Sequence, residues 1–411
     1  MKHFLFLLDE LPPTRSANGV CVDKVINELL AAGDKVSVVC WGEQTKEGVE
    51  VYRIPRKPFD RFVQKYQIKT DPFSKLIFLL GRVYNRIAHV VLLPWWPCES
   101  FAEVKQFVKK ANELIETKGV TDVVAVSYPG ETLVAIKRLK KKHGDKITTV
   151  MYPLDVTLSG TRHGSAIEKK ISKPFNRKFM INCGKYSNKI IALENDRDKY
   201  YGIFPQSLHS KFRVAGIPML RAELCCPDGA TKDRDEIRLT FAGNLFTSVR
   251  DPSVLFDAID QLARRLDKKV FFDLYGKCDE AIEKKLKDGD YKFEFVNHGW
   301  VTEPQMNKGL AEADIFVNVG NNSSLIPSKL FVYLSFGKPI IHQCIVDRDA
   351  CLPYLEKCQN SFIIRENIVQ DSEHVDELID FVNRSLGKVQ NTADLFESCT
   401  PAYTAQILRD N

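Results

Sequence analysis

Short apolar runs alternate with helical-period stretches along most of the chain, the pattern of a parallel sheet whose crossovers are helices. Phe4–Leu8 is apolar at every position, as a strand covered on both faces must be. The turn-rich loop Asp9–Asn18 follows. Gly19 then opens a helix to Ala32 with Val22, Val25, Ile26, Leu29 and Leu30 as its inward stripe and Gly33 as its cap. Val36–Cys40, Val51–Ile54, Val123–Val126, Thr148–Tyr152 and Lys189–Leu193 read as further strands. Ligands of open α/β sheets bind beyond the carboxyl ends of the strands, which makes Asp9, Glu131, Asp155 and Glu194 the acidic candidates of this half. Each is equally readable as a turn or cap residue. No G-x-G-x-x-G follows the first strand, so the dinucleotide signature is missing.

From Gly216 to Asp235 the composition turns polar and charged, as a linker does, and a second βα series begins after it. Its strands are Ile237–Ala242, Val270–Leu274 and Lys292–Val296. Its helices run Pro252–Leu266, Asp279–Lys287 and Pro304–Ala313. The series leads into Ile315–Ile341, which packs a strand, a polar loop, a short helix, a glycine stop and another strand into one stretch. Pro327 suits the first helical position, and Gly337 followed by Pro339 ends the helix. A strand feeding a loop onto a helix N-terminus offers free N–H groups and a helix dipole to an anion, and a diphosphate is an anion of the right kind.

Residues 58–100 break the alternation. Lys65, Lys69, Lys75, Arg82 and Arg86 are interleaved with Phe62, Tyr66, Phe73, Ile77, Phe78 and Tyr84, and the segment closes on Trp95-Trp96-Pro97. Two readings fit: a helical insertion packing its apolar side on the sheet, and a helix lying on an anionic bilayer surface. Arg82, Arg86 and His89 argue against a helix that spans a membrane.

At 411 residues the chain calls for two domains. A net charge of +6 is mild on that length. It suits a polyanionic ligand or an acidic membrane and gives no indication of nucleic acid. The eleven cysteines are scattered without any C-x-x-C, which fits reduced thiols in a cytoplasmic protein better than a disulfide framework. Lys2 precedes an apolar run too short for a secretory signal. The expected location is cytoplasmic, peripheral on the inner membrane face if the basic-aromatic segment lies on lipid.

The order of pieces in the second half carries a resemblance. They are Phe241-Ala-Gly-Asn-Leu-Phe-Thr-Ser-Val-Arg250, Leu274-Tyr-Gly276, Val296-Asn-His-Gly-Trp-Val-Thr-Glu-Pro304, Ala311-Glu-Ala-Asp-Ile-Phe-Val317 and Pro327-Ser-Lys-Leu-Phe-Val-Tyr-Leu-Ser-Phe-Gly-Lys-Pro339. Together with Pro12-Pro13 and Asn18-Gly19-Val20, they resemble the family 4 glycosyltransferases of GT-B type that build bacterial surface glycans. The resemblance implies an α/β chain of two doubly wound, Rossmann-like domains facing a central cleft. It sets an acceptor-side domain at 1–217, carrying the insertion at about 58–100. A donor domain follows at 236–390, and a segment at 391–411 crosses back to the first.

The resemblance also implies residue roles. Gly243, Asn244 and Arg250 stand at the family's glycine turn and its two basic positions, with asparagine replacing the first cation. Ser324, Leu325, Ser328 and Lys329 stand at the diphosphate end, Trp300 and Val301 at the base, and Gly19 where the backbone closes on a phosphate or sugar. Asp155 and His163 are the candidates at the reacting centre. Ser324 and Val332 replace the family's two glutamates, so the ribose-binding carboxylate is missing. The implied donor is a nucleoside-diphosphate sugar, UDP-sugar favoured, and the acceptor a saccharide, free or linked to lipid or protein. Transfer would be retaining, with no cofactor, and no D-x-D argues for a bound divalent cation. Two other readings stay open: a glycosyltransferase-like partner subunit that has lost donor binding, and a sugar-nucleotide epimerase of the same architecture.

Overall fold

The computed structural model describes all residues except 14, 15, 43, 56–70, 128, 155–165, 222–234, 322–325, 366–371 and 411. The candidates Asp155, His163, Ser324 and Leu325, the first part of the basic-aromatic segment, and most of the 216–235 linker therefore lie outside the described residues. The chain divides into two units, Met1–Pro218 with Pro401–Asn411, and Met219–Thr400.

The first unit is built on seven parallel strands: β1 (His3–Leu7), β2 (Lys35–Cys40), β3 (Val49–Arg53), β4 (Asp122–Ser127), β5 (Thr148–Pro153), β6 (Lys189–Leu193) and β7 (Phe212–Ala215). Their order is β3-β2-β1-β4-β5-β6-β7. Because side chains alternate along a strand, β1 sends Leu5 and Leu7 into one apolar cluster and Phe4 and Phe6 into another, and β4 divides Val123 and Ala125 from Val124 and Val126 in the same way. Every residue of β1 is buried. That two-sided burial is why the strand is apolar throughout. Helix Ala17–Ala31 covers one face with Val22, Val25, Ile26 and Leu29, and helices Phe101–Lys118 and Gly130–His143 cover the other.

The first helix starts two residues before Gly19. Ser16 is its cap, accepting the Gly19 N–H on Oγ at 3.1 Å, so the polar cap rather than the glycine sets the start. The last helix, Pro401–Arg409, packs on Ala17–Ala31 and belongs to this unit. Lys189 Nζ donates to the Ile407 carbonyl at 2.9 Å, and Arg409 pairs with Asp34 at 2.9 Å.

The second unit holds six parallel strands: β8 (Glu236–Ala242), β9 (Lys269–Tyr275), β10 (Glu294–Asn297), β11 (Ile315–Val319), β12 (Ile340–Gln343) and β13 (Ser361–Ile364). They are ordered β10-β9-β8-β11-β12-β13. Helix Ser253–Arg265 and the central strands close one core around Phe256, Phe272 and Phe381. On β11, Phe316 stacks on Tyr333 of helix Lys329–Phe336 with ring centroids 4.7 Å apart. Gly337 caps that helix with φ of 65°, the left-handed conformation that glycine adopts at least cost.

Pro327 is not at the first helical residue. The Leu330 N–H bonds back to the Pro327 carbonyl at 3.0 Å, a tight three-residue turn, and the helix proper begins at Lys329. Nine described cysteines are free of disulfides, and all of them except the partly covered Cys278 are buried.

Candidate functional site

Each sheet has one place where successive strands depart in opposite directions, and loops at the carboxyl ends diverge there to leave room for a ligand. In the second unit that place lies between β8 and β11. Sequence alone did not reveal it, because strand order is a property of the folded sheet.

Gly243 leaves the end of β8, its N–H donating to the Tyr275 carbonyl at 3.0 Å. A Cβ on Gly276 would lie 1.9 Å from the Gly243 carbonyl oxygen, so the two loops touch backbone to backbone. Asn244 locks this contact, its Oδ1 accepting the Lys277 N–H at 3.1 Å. The asparagine at the first basic position is thus a clip between two loops.

Arg250 is half-buried on the same edge. Its Nη1 would lie 3.6 Å from a Cβ on Gly243, and its Nε donates to Asn321 Oδ1 at 2.6 Å. Asn321 follows β11, so this bond crosses the switch point. Burial pushes the guanidinium pKa down, with small offsets from Tyr333 and Cys351. Among the described residues no carboxylate pairs with Arg250. A cation removed from water without an acidic partner is costly to keep unless a ligand supplies the charge.

Helix Lys329–Phe336 reaches the same edge. The hydroxyl of Tyr333 meets the backbone of Ala242, accepting its N–H at 2.7 Å. Ser328, at the N-cap, makes no capping bond with its side chain, and Lys329 Nζ lies 3.4 Å from Met306 Sδ. Both are half-buried. The structure therefore gathers Gly243, Arg250, Ser328 and Lys329 on elements that meet at one strand edge. Trp300 and Val301 follow β10, at the outer edge of the sheet. Trp300 is 66% exposed, after Gly299 with φ of 66°. Gly19 is in the other unit, its N–H already held by Ser16.

Sequence reasoning missed the network behind Arg250. His342 is fully buried. Its Nδ1 lies 2.8 Å from Asn318 Nδ2 and its Nε2 lies 3.2 Å from Asp349. A Cβ on Gly320 would sit 2.1 Å from Asp349 Oδ2, so the glycine makes room for the carboxylate. Burial raises the Asp349 pKa, but the His342 and Cys351 contacts outweigh it and hold the carboxyl below its ordinary value. His342, Cys344 and Asp349 place ligand-type atoms within 4.8 Å of one another. Contrary to the reading from sequence, D-x-D spacing does occur, three times as Asp-Arg-Asp. Asp233-Arg234-Asp235 lies mostly outside the described residues. Asp196 of Asp196-Arg197-Asp198 is buried and pairs with Lys199 at 2.6 Å. In Asp347-Arg348-Asp349 the second aspartate is buried against His342 whereas Asp347 is exposed.

The first unit has its own switch point, between β1 and β4. β1 pairs with β4 as far as Leu7 and Ala125; Asp9 follows the end of β1 and Ser127 is the last residue of β4. Asp9 Oδ2 accepts from Ser16 Oγ at 2.6 Å. Asp9 Oδ1 and the fully buried Ser127 Oγ have no hydrogen-bond partner among the described residues. Burial raises the Asp9 pKa against the pull of Ser16. The other acidic candidates divide: Glu131 Oε1 accepts the N–H groups of Glu99 and Ser100 at 2.7 and 2.6 Å, a structural clamp, and Glu194 is exposed at the start of a single turn.

No protein-family model matches the chain, and no curated protein matches it in sequence. Solved structures match it in fold. TarM aligns with a TM-score of 0.61 at 10% identity, over 100% of this chain and 97% of its own. The lipopolysaccharide outer core galactosyltransferase WaaB, in its apo form, aligns at 0.57 and 12% identity, over 99% and 100%. Anabaena Alr3699/HepE, in complex with UDP and glucose, aligns at 0.51 and 13% identity, over 100% and 96%. With two parallel α/β units matched end to end by such structures, the chain has the GT-B glycosyltransferase fold.

Proposed function

We propose that this protein transfers a sugar from a nucleoside-diphosphate sugar, held in the second unit, to a saccharide acceptor that is free or linked to lipid or protein. The observation that carries the proposal is Arg250, a half-buried cation at the β8/β11 switch point without an acidic partner among the described residues. Arg250 would face the diphosphate and Lys329 would add charge at the helix start, stabilising the leaving group by preorganised electrostatics. Ser324, Leu325 and Ser328 would line the phosphates, Asn244 would hold the glycine turn in place, and Trp300 with Val301 would wall the base. UDP is favoured, and the UDP-bound structural neighbour supports that choice.

The acceptor would be met in the first unit, where Asp9 Oδ1 and Ser127 Oγ have no hydrogen-bond partner among the described residues, with Gly19 near the Asp9 loop and Asp155 and His163 at the reacting centre. Metal-independent transfer fits this set, because Arg250 and Lys329 supply the charge a divalent ion would otherwise bring, and retention of configuration is what the family resemblance implies. The two-domain boundaries expected from the sequence and a cytoplasmic location, in surface-glycan synthesis, belong to the same proposal.

Release of nucleoside diphosphate from a panel of UDP-, GDP- and ADP-sugars, with and without saccharide acceptors, tests it. Acceptor-dependent release from one donor is expected. Conversion of the sugar nucleotide without acceptor would make the protein an epimerase. Absence of release and of binding would make it a subunit that has lost its donor.

A further inference from the structure

Helix Pro72–Leu92 presents three distinct sides. Ser74 and Gly81 are buried and Ala88 is half-buried; they are spaced seven residues apart, so small residues line the side turned to the protein. Phe73, Leu76, Leu80, Val83, Ile87 and Val91 recur at helical spacing on another side and are left open, Phe73 to 69% and Val91 to 62%. Soluble monomers rarely leave a contiguous apolar strip of this length uncovered. Lys75, Arg82 and Arg86 run along one border of that strip, all of them exposed. No Asp or Glu occurs from residue 72 to residue 98. Beyond the helix end, helix Ala166–Lys185 packs on the Leu93–Trp95 turn. That second helix exposes Ile167, Ile171 and Phe175 one turn apart, next to Lys170, Lys173 and Arg177.

We propose that this surface of the first unit lies on an anionic lipid bilayer, with the apolar strip of helix Pro72–Leu92 embedded in the interface and its basic border against the headgroups. A strong apolar face bordered by Lys and Arg is the signature of a helix that rests in the interfacial plane. The helix lies on the bilayer and does not cross it. Arg82 stands at its midpoint, which in a spanning helix is the bilayer centre, where a charged side chain is most unfavourable. Moreover, Ser74 and Gly81 are already occupied by protein packing. A second copy of the chain is a poor occupant, because two such faces, with no Asp or Glu from residue 72 to residue 98, would bring Lys75, Arg82 and Arg86 against their own kind. The inference is independent of the transfer reading.

Flotation of the full-length protein with vesicles, without any sugar nucleotide, tests it separately from donor binding. Expected is co-flotation with phosphatidylcholine vesicles containing phosphatidylglycerol, at least tenfold stronger than with phosphatidylcholine alone and falling as salt rises. Leu80→Asp with Ile87→Asp should abolish flotation, with the melting temperature unchanged because both side chains are solvent-exposed. Lys75→Gln with Arg82→Gln should remove the preference for anionic lipid. The proposal is overturned if the wild type fails to float with anionic vesicles at low salt. It is overturned equally if binding ignores lipid charge, or if the protein is a dimer that the Leu80/Ile87 variant converts to monomer.

Discussion

Arg250 and Asp9 are charged groups that the folded chain partly desolvates, and their consequences run in opposite directions. Replacing Arg250 by Met removes a cation whose Nε donates to Asn321 and which has no acidic partner among the described residues. Diphosphate affinity should fall about 10- to 100-fold, the value of a charge-assisted bond, while the melting temperature should move by no more than about 4 °C. Calorimetric titration and a thermal melt of the same variant check both. For Asp9 the folded carboxyl sits above its ordinary value of 3.8. Stability from that group is complete below 3.8 and drains away as pH rises through the higher folded value, because the fold then holds a charge it disfavours. Asp9→Asn should therefore be more stable than the wild type at pH 7, with the difference vanishing toward pH 3, and should lose acceptor-dependent turnover at least tenfold. Melting curves across that range, beside the turnover assay, decide it. A stabilised variant with full turnover would leave Asp9 as a turn residue only.

At the scale of elements, the junction of the β8 and β9 loops is the most constrained part of the site. Gly276→Ala would force its Cβ into the Gly243 carbonyl, where only backbone can give way. A loss of about 1–3 kcal/mol is expected, together with weaker diphosphate binding because Gly243 and Arg250 move with the loop. Chemical denaturation and titration of that variant measure the two effects. This junction also shows what a sequence conveys and what it hides. Gly243 and Arg250 could be picked out by resemblance to the family's motif, since they are local to one loop. The role of Asn244 could not, because its partner is the Lys277 amide from a different loop. His342 and Asp349 escaped notice for the same reason: buried polar pairs leave no periodic trace, and the tell-tale glycine, Gly320, reads as an ordinary turn former. Helix starts shifted by a residue or two wherever a polar cap or a tight turn, Ser16 or Pro327, set the boundary.

At the scale of the molecule, the two α/β units were legible because βα alternation is written in hydrophobic period, twice, on either side of a polar stretch. Strand order, and with it both switch points, was not, since neighbours in a sheet are set by pairing that no local pattern encodes. The basic-aromatic segment was left between two readings, a packed insertion and a bilayer-facing helix. The described part is a helix that buries Ser74 and Gly81 and leaves its aliphatic side largely exposed, the observation from which the bilayer proposal is argued. The central claim is that the second unit binds the diphosphate of a nucleotide sugar around Arg250. Calorimetric titration of the wild type and Arg250→Met with UDP and with uridine tests it most directly. UDP should bind the wild type at least tenfold more tightly than uridine, and the variant should lose that difference. If neither UDP nor any other nucleoside diphosphate binds at millimolar concentration, or if Arg250→Met binds UDP as well as the wild type does, the account is contradicted.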